Sequence, residues 1–193
     1  MKLFGHLKTV CRHKYWVGYF CFKFGLYYQG IVHDLSKFNP VEFFESVKYY
    51  TGTYSPIDAC KKDIGYSNAW FHHKGRNKHH FEYWLDDFEK GCIPKKMPLK
   101  YVLEMFCDWL GAGISYSGGM KNFKVKTEYN WWLNKRKVAP LHKDVLATLD
   151  LLFDLFAKYD GNVDKIVKND LDLVRKIYKN GDYQPRTDIV FEN

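Results

Sequence analysis

The chain has 193 residues, a length that fits one domain and is short for two. Its 46% hydrophobic and 19% aromatic content excludes a disordered chain, and no linker, low-complexity tract or internal repeat marks a boundary. We therefore expect a single domain over residues 1–193. The formal net charge of +8 favours an anionic partner such as a nucleotide, a phosphoester or, less favoured, a nucleic acid.

Cysteine usage and the N-terminus indicate a compartment. The five cysteines are odd in number and form no C-x-x-C pair, so the sequence supports neither a disulfide framework nor a zinc ribbon. The N-terminus lacks the hydrophobic segment and cleavage site of a signal peptide. Charged and glycine residues interrupt the apolar stretch at residues 15–32, which argues against a membrane span. We predict a cytoplasmic protein that does not interact with a membrane.

The first helices are predicted as a hairpin. Apolar residues recur at helical spacing over residues 7–22, and Gly25 offers a break before a second apolar run at residues 26–35. If Gly25 is the corner, His13 and the doublet His33-Asp34 lie at comparable distances from the turn. These side chains could then face each other across the pair.

Further helices follow along the chain. Asn39-Pro40 is typical of a helix start and precedes a helix at residues 41–50. Residues 57–71 predict one or two helical segments, residues 81–88 another, and Pro98 opens a helix at residues 99–111 that carries Asp108. After a loop-rich piece at residues 111–126, helices are predicted at residues 127–137, 145–156 and 163–178. No segment alternates like a strand for long, so the predicted fold class is all-α.

The histidines form the most informative pattern. All but one of the eight precede residue 81, and they are His6, His13, His33, His72, His73, His79 and His80. Asp34 directly follows His33, and Asp108 comes later on a helix of otherwise apolar residues, where a buried carboxylate without a partner would be costly. Neutral imidazole and carboxylate are ligands for divalent metals. The sequence therefore predicts a metal site.

Simpler interpretations apply to the same residues. A single histidine in an apolar helix is more often a hydrogen-bonded core residue than a ligand. The basic run at residues 74–80 is also compatible with a solvated loop or a nucleic-acid contact. Because imidazoles are mostly uncharged at neutral pH, we assign the histidines to metal and Lys74, Arg76 and Lys78 to an anionic substrate. Lys37 either points toward a metal-bound phosphate or is a surface lysine.

The order His, His-Asp, His, Asp resembles the HD-domain superfamily of metal-dependent phosphohydrolases. The string HDLSK at residues 33–37 resembles its signature with the downstream lysine, and AWFHHKGRNKHHFEYW at residues 69–84 is similar to a motif found in a branch of bacterial and phage proteins. The matches cover about residues 6–113. The resemblance implies an HD-domain-like helical bundle, with the metal-site core at about residues 6–113 and C-terminal helices at about residues 127–180.

The resemblance also implies two divalent ions. The ligands of the first ion would be His13, His33, Asp34 and Asp108. Asp34 would bridge to a second ion, which would take one imidazole from each of two pairs, His72/His73 and His79/His80. The short gap between His13 and His33 keeps His6 open as the first ligand. The ligand types do not distinguish Mn, Fe, Mg, Zn, Ni and Co.

The function implied by the resemblance is that of a phosphohydrolase. A metal-activated water held by Asp34 and the histidines would attack the phosphorus of a nucleotide or other small phosphoester. Asp34 and Lys37 would be catalytic, and Lys37, Lys74, Arg76 and Lys78 would bind substrate. One alternative is an HD-type di-iron oxygenase, which uses almost the same ligands. A second is a basic nucleotide- or nucleic-acid-binding module without turnover.

Overall fold

Helices form where the sequence repeats apolar residues every three to four positions. The computed structural model describes residues 2–186, and that part of the chain contains ten α-helices. They are α1 (Lys2–Lys23), α2 (Tyr27–Val32), α3 (Pro40–Tyr49), α4 (Pro56–Ile64), α5 (Asn68–Lys74), α6 (Leu99–Tyr116), α7 (Val125–Lys135), α8 (Lys143–Lys158), α9 (Val163–Asn169) and α10 (Leu171–Asn180). The predicted all-α class is confirmed. The single-domain prediction also includes residues 1 and 187–193, which lie outside the described residues.

Local backbone and capping features set the boundaries of α1, α2 and α3. Gly25 adopts a left-handed φ of 73° between α1 and α2, which only a residue without a Cβ adopts at little cost. Asn39 precedes α3, and its side chain accepts a hydrogen bond from the Val41 backbone N–H at 3.0 Å. The predicted second run at residues 26–35 stops at Val32, because the next two residues leave the helical region.

The helix predicted at residues 81–88 is wrong. A single 3-10 turn at Phe81–Trp84 leads into strand β1 (Leu85–Asp86), which pairs antiparallel with β2 (Ile93–Pro94). The Trp84 carbonyl accepts from the Lys95 N–H at 2.8 Å, so the chain satisfies its backbone by folding back on itself. These two-residue strands form the one sheet within residues 2–186.

Two other boundaries differ from prediction. The segment predicted as loop-rich from residue 111 is helical up to Tyr116, because its glycines permit close packing rather than a turn. The predicted helix at residues 163–178 is two helices that meet at Asp170, whose carboxylate accepts a hydrogen bond from the Tyr159 hydroxyl at 2.7 Å.

The packing of α1 against α6 positions the functional residues. A Cβ added at Gly111 would lie 2.5 Å from Val17 Cγ2 and 3.1 Å from the Val17 backbone N, so the two helices touch at this point. His13 lies four residues before Val17, and Asp108 lies three residues before Gly111. Both therefore lie one turn from the contact, on the faces that the helices turn toward each other.

The hydrophobic core is formed mainly by residues of α6 and α8, with smaller contributions from α1 and α7. The Trp132 and Phe153 rings stack with centroids 5.0 Å apart, and the Trp132 indole N–H donates to the Asp150 carboxylate at 3.0 Å. All five cysteines are free thiols. Across residues 2–186, no helix has both the length and the apolar character that crossing a bilayer demands.

Replacement of Gly111 by alanine should destabilise the protein by about 1–3 kcal/mol, because the added methyl group meets Val17 and pushes α1 from α6. Chemical denaturation measures the change. Gly18→Ala is the matched control, because its Cβ would lie no closer than 3.3 Å to its nearest neighbour, the Gly30 carbonyl oxygen. Equal stability of the two variants would contradict the close contact.

Candidate metal centre

Asp34 occupies an unusual backbone conformation at the end of α2. Its φ of 54° lies in the left-handed region, which non-glycine residues seldom adopt and which aspartate tolerates better than most. Lys14 on α1 fixes this corner, because its ammonium donates to the carbonyls of Ile31 at 2.7 Å and His33 at 2.8 Å. The turn directs the Asp34 carboxylate into the interior, where the residue is 1% exposed.

One oxygen of Asp34 belongs to a first set of ligand groups. Asp34 Oδ2 lies 3.3 Å from His13 Nε2 and 3.3 Å from His33 Nε2. Asp108 Oδ1 lies 3.1 Å and 3.3 Å from the same two nitrogens. All four residues are buried, and their ligand atoms lie within 4.8 Å of one another. We call His13, His33, Asp34 and Asp108 the first set.

The other oxygen of Asp34 belongs to a second set. Asp34 Oδ1 lies 3.2 Å from His73 Nε2 and 3.3 Å from His79 Nε2, and His80 completes the group. We call Asp34, His73, His79 and His80 the second set. Asp34 thus presents one carboxylate oxygen to each group of histidines.

The second set contains buried polar atoms that form no hydrogen bond with the described part of the chain. Asp34 Oδ1, His79 Nε2 and His80 Nε2 are shielded from water and form no hydrogen bond within residues 2–186. Each buried polar atom left in this state costs about 1–3 kcal/mol. A cation between them would satisfy all three, and imidazole nitrogens with a carboxylate oxygen are a donor set that borderline divalent metals accept. The buried His and Asp groups could therefore hold a metal ion.

Two glutamates orient the imidazoles from behind. Glu104 Oε1 lies 3.0 Å from His33 Nδ1 and 3.2 Å from His79 Nδ1, so one oxygen contacts a histidine of each set. Glu42 Oε2 accepts from His73 Nδ1 at 2.7 Å. A neutral imidazole that donates its Nδ1–H to a carboxylate keeps its lone pair on Nε2, and in these rings Nε2 lies on the side of Asp34. His33, His79 and Glu104 are also close enough to share an ion, but Glu104 meets the Nδ1 edge of each ring.

The charge states of Asp34, Asp108 and His80 suit cation binding. Burial alone would raise the pKa of Asp34, but His33, Lys37 and His73 outweigh it and hold that pKa well below the usual range. Burial would also raise the pKa of Asp108, but hydrogen bonds from His13 and His33 outweigh it and hold that pKa well below the usual range. Both carboxylates are therefore ionised at neutral pH. Burial and the neighbouring His79 lower the pKa of His80, which keeps this imidazole neutral with a lone pair to donate.

Two of the histidines considered from the sequence lie outside both sets. The His72 Nδ1 contacts Glu42 Oε1 on the outer side of α5. His6 packs against the rings of Phe43 and Tyr50 at centroid distances of 5.3 and 5.7 Å. Burial, with a smaller effect of Lys37, lowers the pKa of His6 to about 4. The structure thus places His13 rather than His6 with Asp34, and His73 rather than His72.

A cavity of about 290 Å³ adjoins the two sets. His13, His73, His80 and Asp108 form part of its wall, and Lys37 extends into it with its ammonium 2.6 Å from Asp34 Oδ2. Burial would lower the pKa of Lys37, but Asp34 and Asp108 raise it above the ordinary value, so this side chain is a cation at the mouth of the first set.

The basic residues assigned to substrate from the sequence lie elsewhere. Lys74 and Lys78 extend over the rings of Phe71 and Tyr83, and Arg76 donates to the His72 carbonyl; none of the three lines the cavity. Lys61 on α4 and Lys135 on α7 line it instead. Sequence reasoning missed these two lysines, and it also missed Glu42 and Glu104. Glu104 carries the same sequence signal as Asp108, because both are acidic residues of the apolar helix α6.

Comparison with known proteins identifies the family. The family of unknown function DUF5662 matches the chain over residues 2–155, a span that contains both ligand sets. The chain belongs to this family. No curated protein and no solved structure matches it significantly. An activity therefore has to be inferred from the geometry of the site.

The adjacent histidines of α5 provide a matched test of the second set. His73→Ala should weaken metal binding by more than the roughly 10- to 100-fold that loss of an outer hydrogen-bond partner causes, because it removes an Nε2 atom that faces Asp34. His72→Ala should bind metal with an affinity closer to that of the wild type. Titration of the chelator-treated protein with Mn²⁺, followed by calorimetry, measures both. A larger loss for His72→Ala would refute the assignment.

Proposed function

We propose that this DUF5662 protein is a metal-dependent phosphohydrolase that acts on a nucleotide or other small phosphoester. One observation carries the proposal: Asp34 presents one buried oxygen to each of two histidine sets beside a cavity whose wall carries lysines. The same residues carry the resemblance to HD-domain phosphohydrolases, so the family relationship to that superfamily is part of the proposal.

The two sets would hold two divalent ions. The first set offers two imidazoles and two carboxylates, and the second offers three imidazoles and the shared Asp34. Bound there, the ions would supply Lewis acidity that makes water nucleophilic at neutral pH and stabilises the oxygens of an in-line displacement. The number of ions, two, is part of the proposal.

The role of the protein residues follows from their contacts. Glu104 and Glu42 hold the rings of His33, His79 and His73 in place through Nδ1, so the ligand atoms need little reorganisation. Lys37 lies where a phosphoryl group at the first set would develop charge, and its ammonium can donate a hydrogen bond to a phosphoryl oxygen.

A cytoplasmic location is also proposed. The cysteines are free thiols, three of them buried, which is typical of a protein in a reducing compartment.

Asp34→Asn should abolish metal-dependent phosphate release and reduce bound metal, because the amide presents no negative charge to either set.

Lys37→Met should keep its metal but lower kcat by about 100-fold, a typical cost of removing one donor to the transition state. Metal analysis by mass spectrometry and a panel of phosphomonoesters and phosphodiesters with added Mn²⁺ or Mg²⁺ measure both effects. Asp172→Asn, at an exposed carboxylate, is the matched control.

The outcomes separate the rival functions. Tightly bound iron with a visible charge-transfer band and no phosphate release would contradict hydrolysis and favour the di-iron oxygenase. Salt-dependent binding of nucleic acid that survives in Asp34→Asn, with no turnover, would favour the binding module.

A further inference from the structure

Two lysines in the cavity wall have no function in the proposed chemistry. Lys61 comes from α4 and Lys135 from α7, and both line the cavity that the metal-ligand sets adjoin. Their ammonium groups lie over aromatic rings of the same wall, Lys61 at 4.6 Å from the Trp70 centroid and Lys135 at 5.3 Å from the Phe81 centroid. The rings therefore fix both charges at the cavity.

These two cations lack a full counter-charge. Within residues 2–186, neither ammonium forms an ion pair with a carboxylate. Asp58 lies on the rim and is exposed to solvent, which screens its charge. Glu82 also lines the cavity, but its carboxylate forms an ion pair with neither lysine, and its Oε2 forms no hydrogen bond with the described residues. Glu42 is engaged by the two histidines of α5.

Partial burial makes the missing counter-charge costly. Both lysines are half-buried. Burial lowers the pKa of Lys61 by more than Asp58 and Glu82 raise it, so these carboxylates replace only part of the solvation that its charged form has lost. An anionic ligand group that entered the cavity would restore this interaction through charge-assisted hydrogen bonds.

Trp70 lies between Lys61 and the second set of ligand groups. The Trp70 ring lies 5.0 Å from the His80 ring and 6.0 Å from the His73 ring, centroid to centroid, while Lys61 contacts Trp70 as well. One indole thus separates the Lys61 ammonium from the second set. A small molecule can reach both ends of the cavity.

We propose that the substrate carries a second anionic group, a phosphate or a carboxylate, that binds Lys61 and Lys135 while its reacting phosphoryl group lies at the metal-ligand sets. The inference rests on the proposed function for the position of the reacting group. It narrows the substrate class to phosphoesters whose leaving group is itself negatively charged.

Calorimetry with non-hydrolysable probes tests the proposal on the Mn²⁺-loaded protein. Methylphosphonate carries one anionic group, alkane bisphosphonates with linkers of one to four carbons carry two phosphonates, and phosphonocarboxylates of the same lengths carry one of each. At least one linker length should bind about tenfold tighter than methylphosphonate. A gain confined to the bisphosphonates identifies a second phosphate, and a gain confined to the phosphonocarboxylates identifies a carboxylate. An equal gain shows that the lysines bind either anion.

Variants decide where the gain originates. The double variant Lys61→Gln/Lys135→Gln should remove the gain to within about twofold while binding methylphosphonate and Mn²⁺ like the wild type. Lys62→Gln/Lys137→Gln is the control. These lysines lie one and two residues after Lys61 and Lys135, are exposed, and do not line the cavity. No gain for any linker, or a gain that survives in the Lys61/Lys135 double variant, would overturn the proposal.

The two proposals fail separately. A two-anion gain without phosphate release from any ester would leave the lysine site standing and remove the hydrolase assignment. Phosphate release that depends on Asp34, without a two-anion gain, would leave the hydrolase standing and remove the lysine site.

Discussion

The carboxylate of Asp34, buried among imidazoles of three chain segments, is the interaction on which the rest of the centre depends. His13 comes from α1, His33 precedes Asp34 itself, and His73 and His79 come from α5 and the turn after it. Burying one ionised carboxylate is expensive unless cations or hydrogen-bond donors surround it. The left-handed backbone at Asp34 and the Lys14 contacts to α2 maintain this position. The burial of the Asp34 carboxylate and its left-handed backbone lower the local stability, and they hold both carboxylate oxygens toward the histidines.

The surrounding layers serve the same geometry. Close contact at Gly111 brings α1 against α6, which sets His13 opposite Asp108. Glu104, also on α6, contacts one histidine of each set, so a movement of that helix would affect both sets together. The hydrophobic core on the other side of α6 gives that helix a rigid support.

The sequence predicted the fold class and the residue types of the candidate site, but not which histidine of each adjacent pair faces Asp34. Periodicity and Gly25 predicted the α1–α2 hairpin, and the order of histidines and aspartates predicted a metal site. Successive residues on a helix point about 100° apart, so we expect only one of His72 and His73 to face Asp34, and the sequence alone does not show which. In the structure Glu42 contacts Nδ1 of both rings, but it is His73 that turns its Nε2 toward Asp34. Lys61 and Lys135 are far apart in the chain and meet the cavity only through tertiary packing. Lys74, Arg76 and Lys78 are conspicuous in the sequence but do not line the cavity.

The central claim is that Asp34 bridges two cation sites. Anomalous diffraction from crystals of the Mn²⁺-loaded protein tests it most directly. The account predicts two anomalous peaks, one on each side of the Asp34 carboxylate, the first next to His13, His33 and Asp108 and the second next to His73, His79 and His80. A single peak, or peaks remote from Asp34, would contradict it.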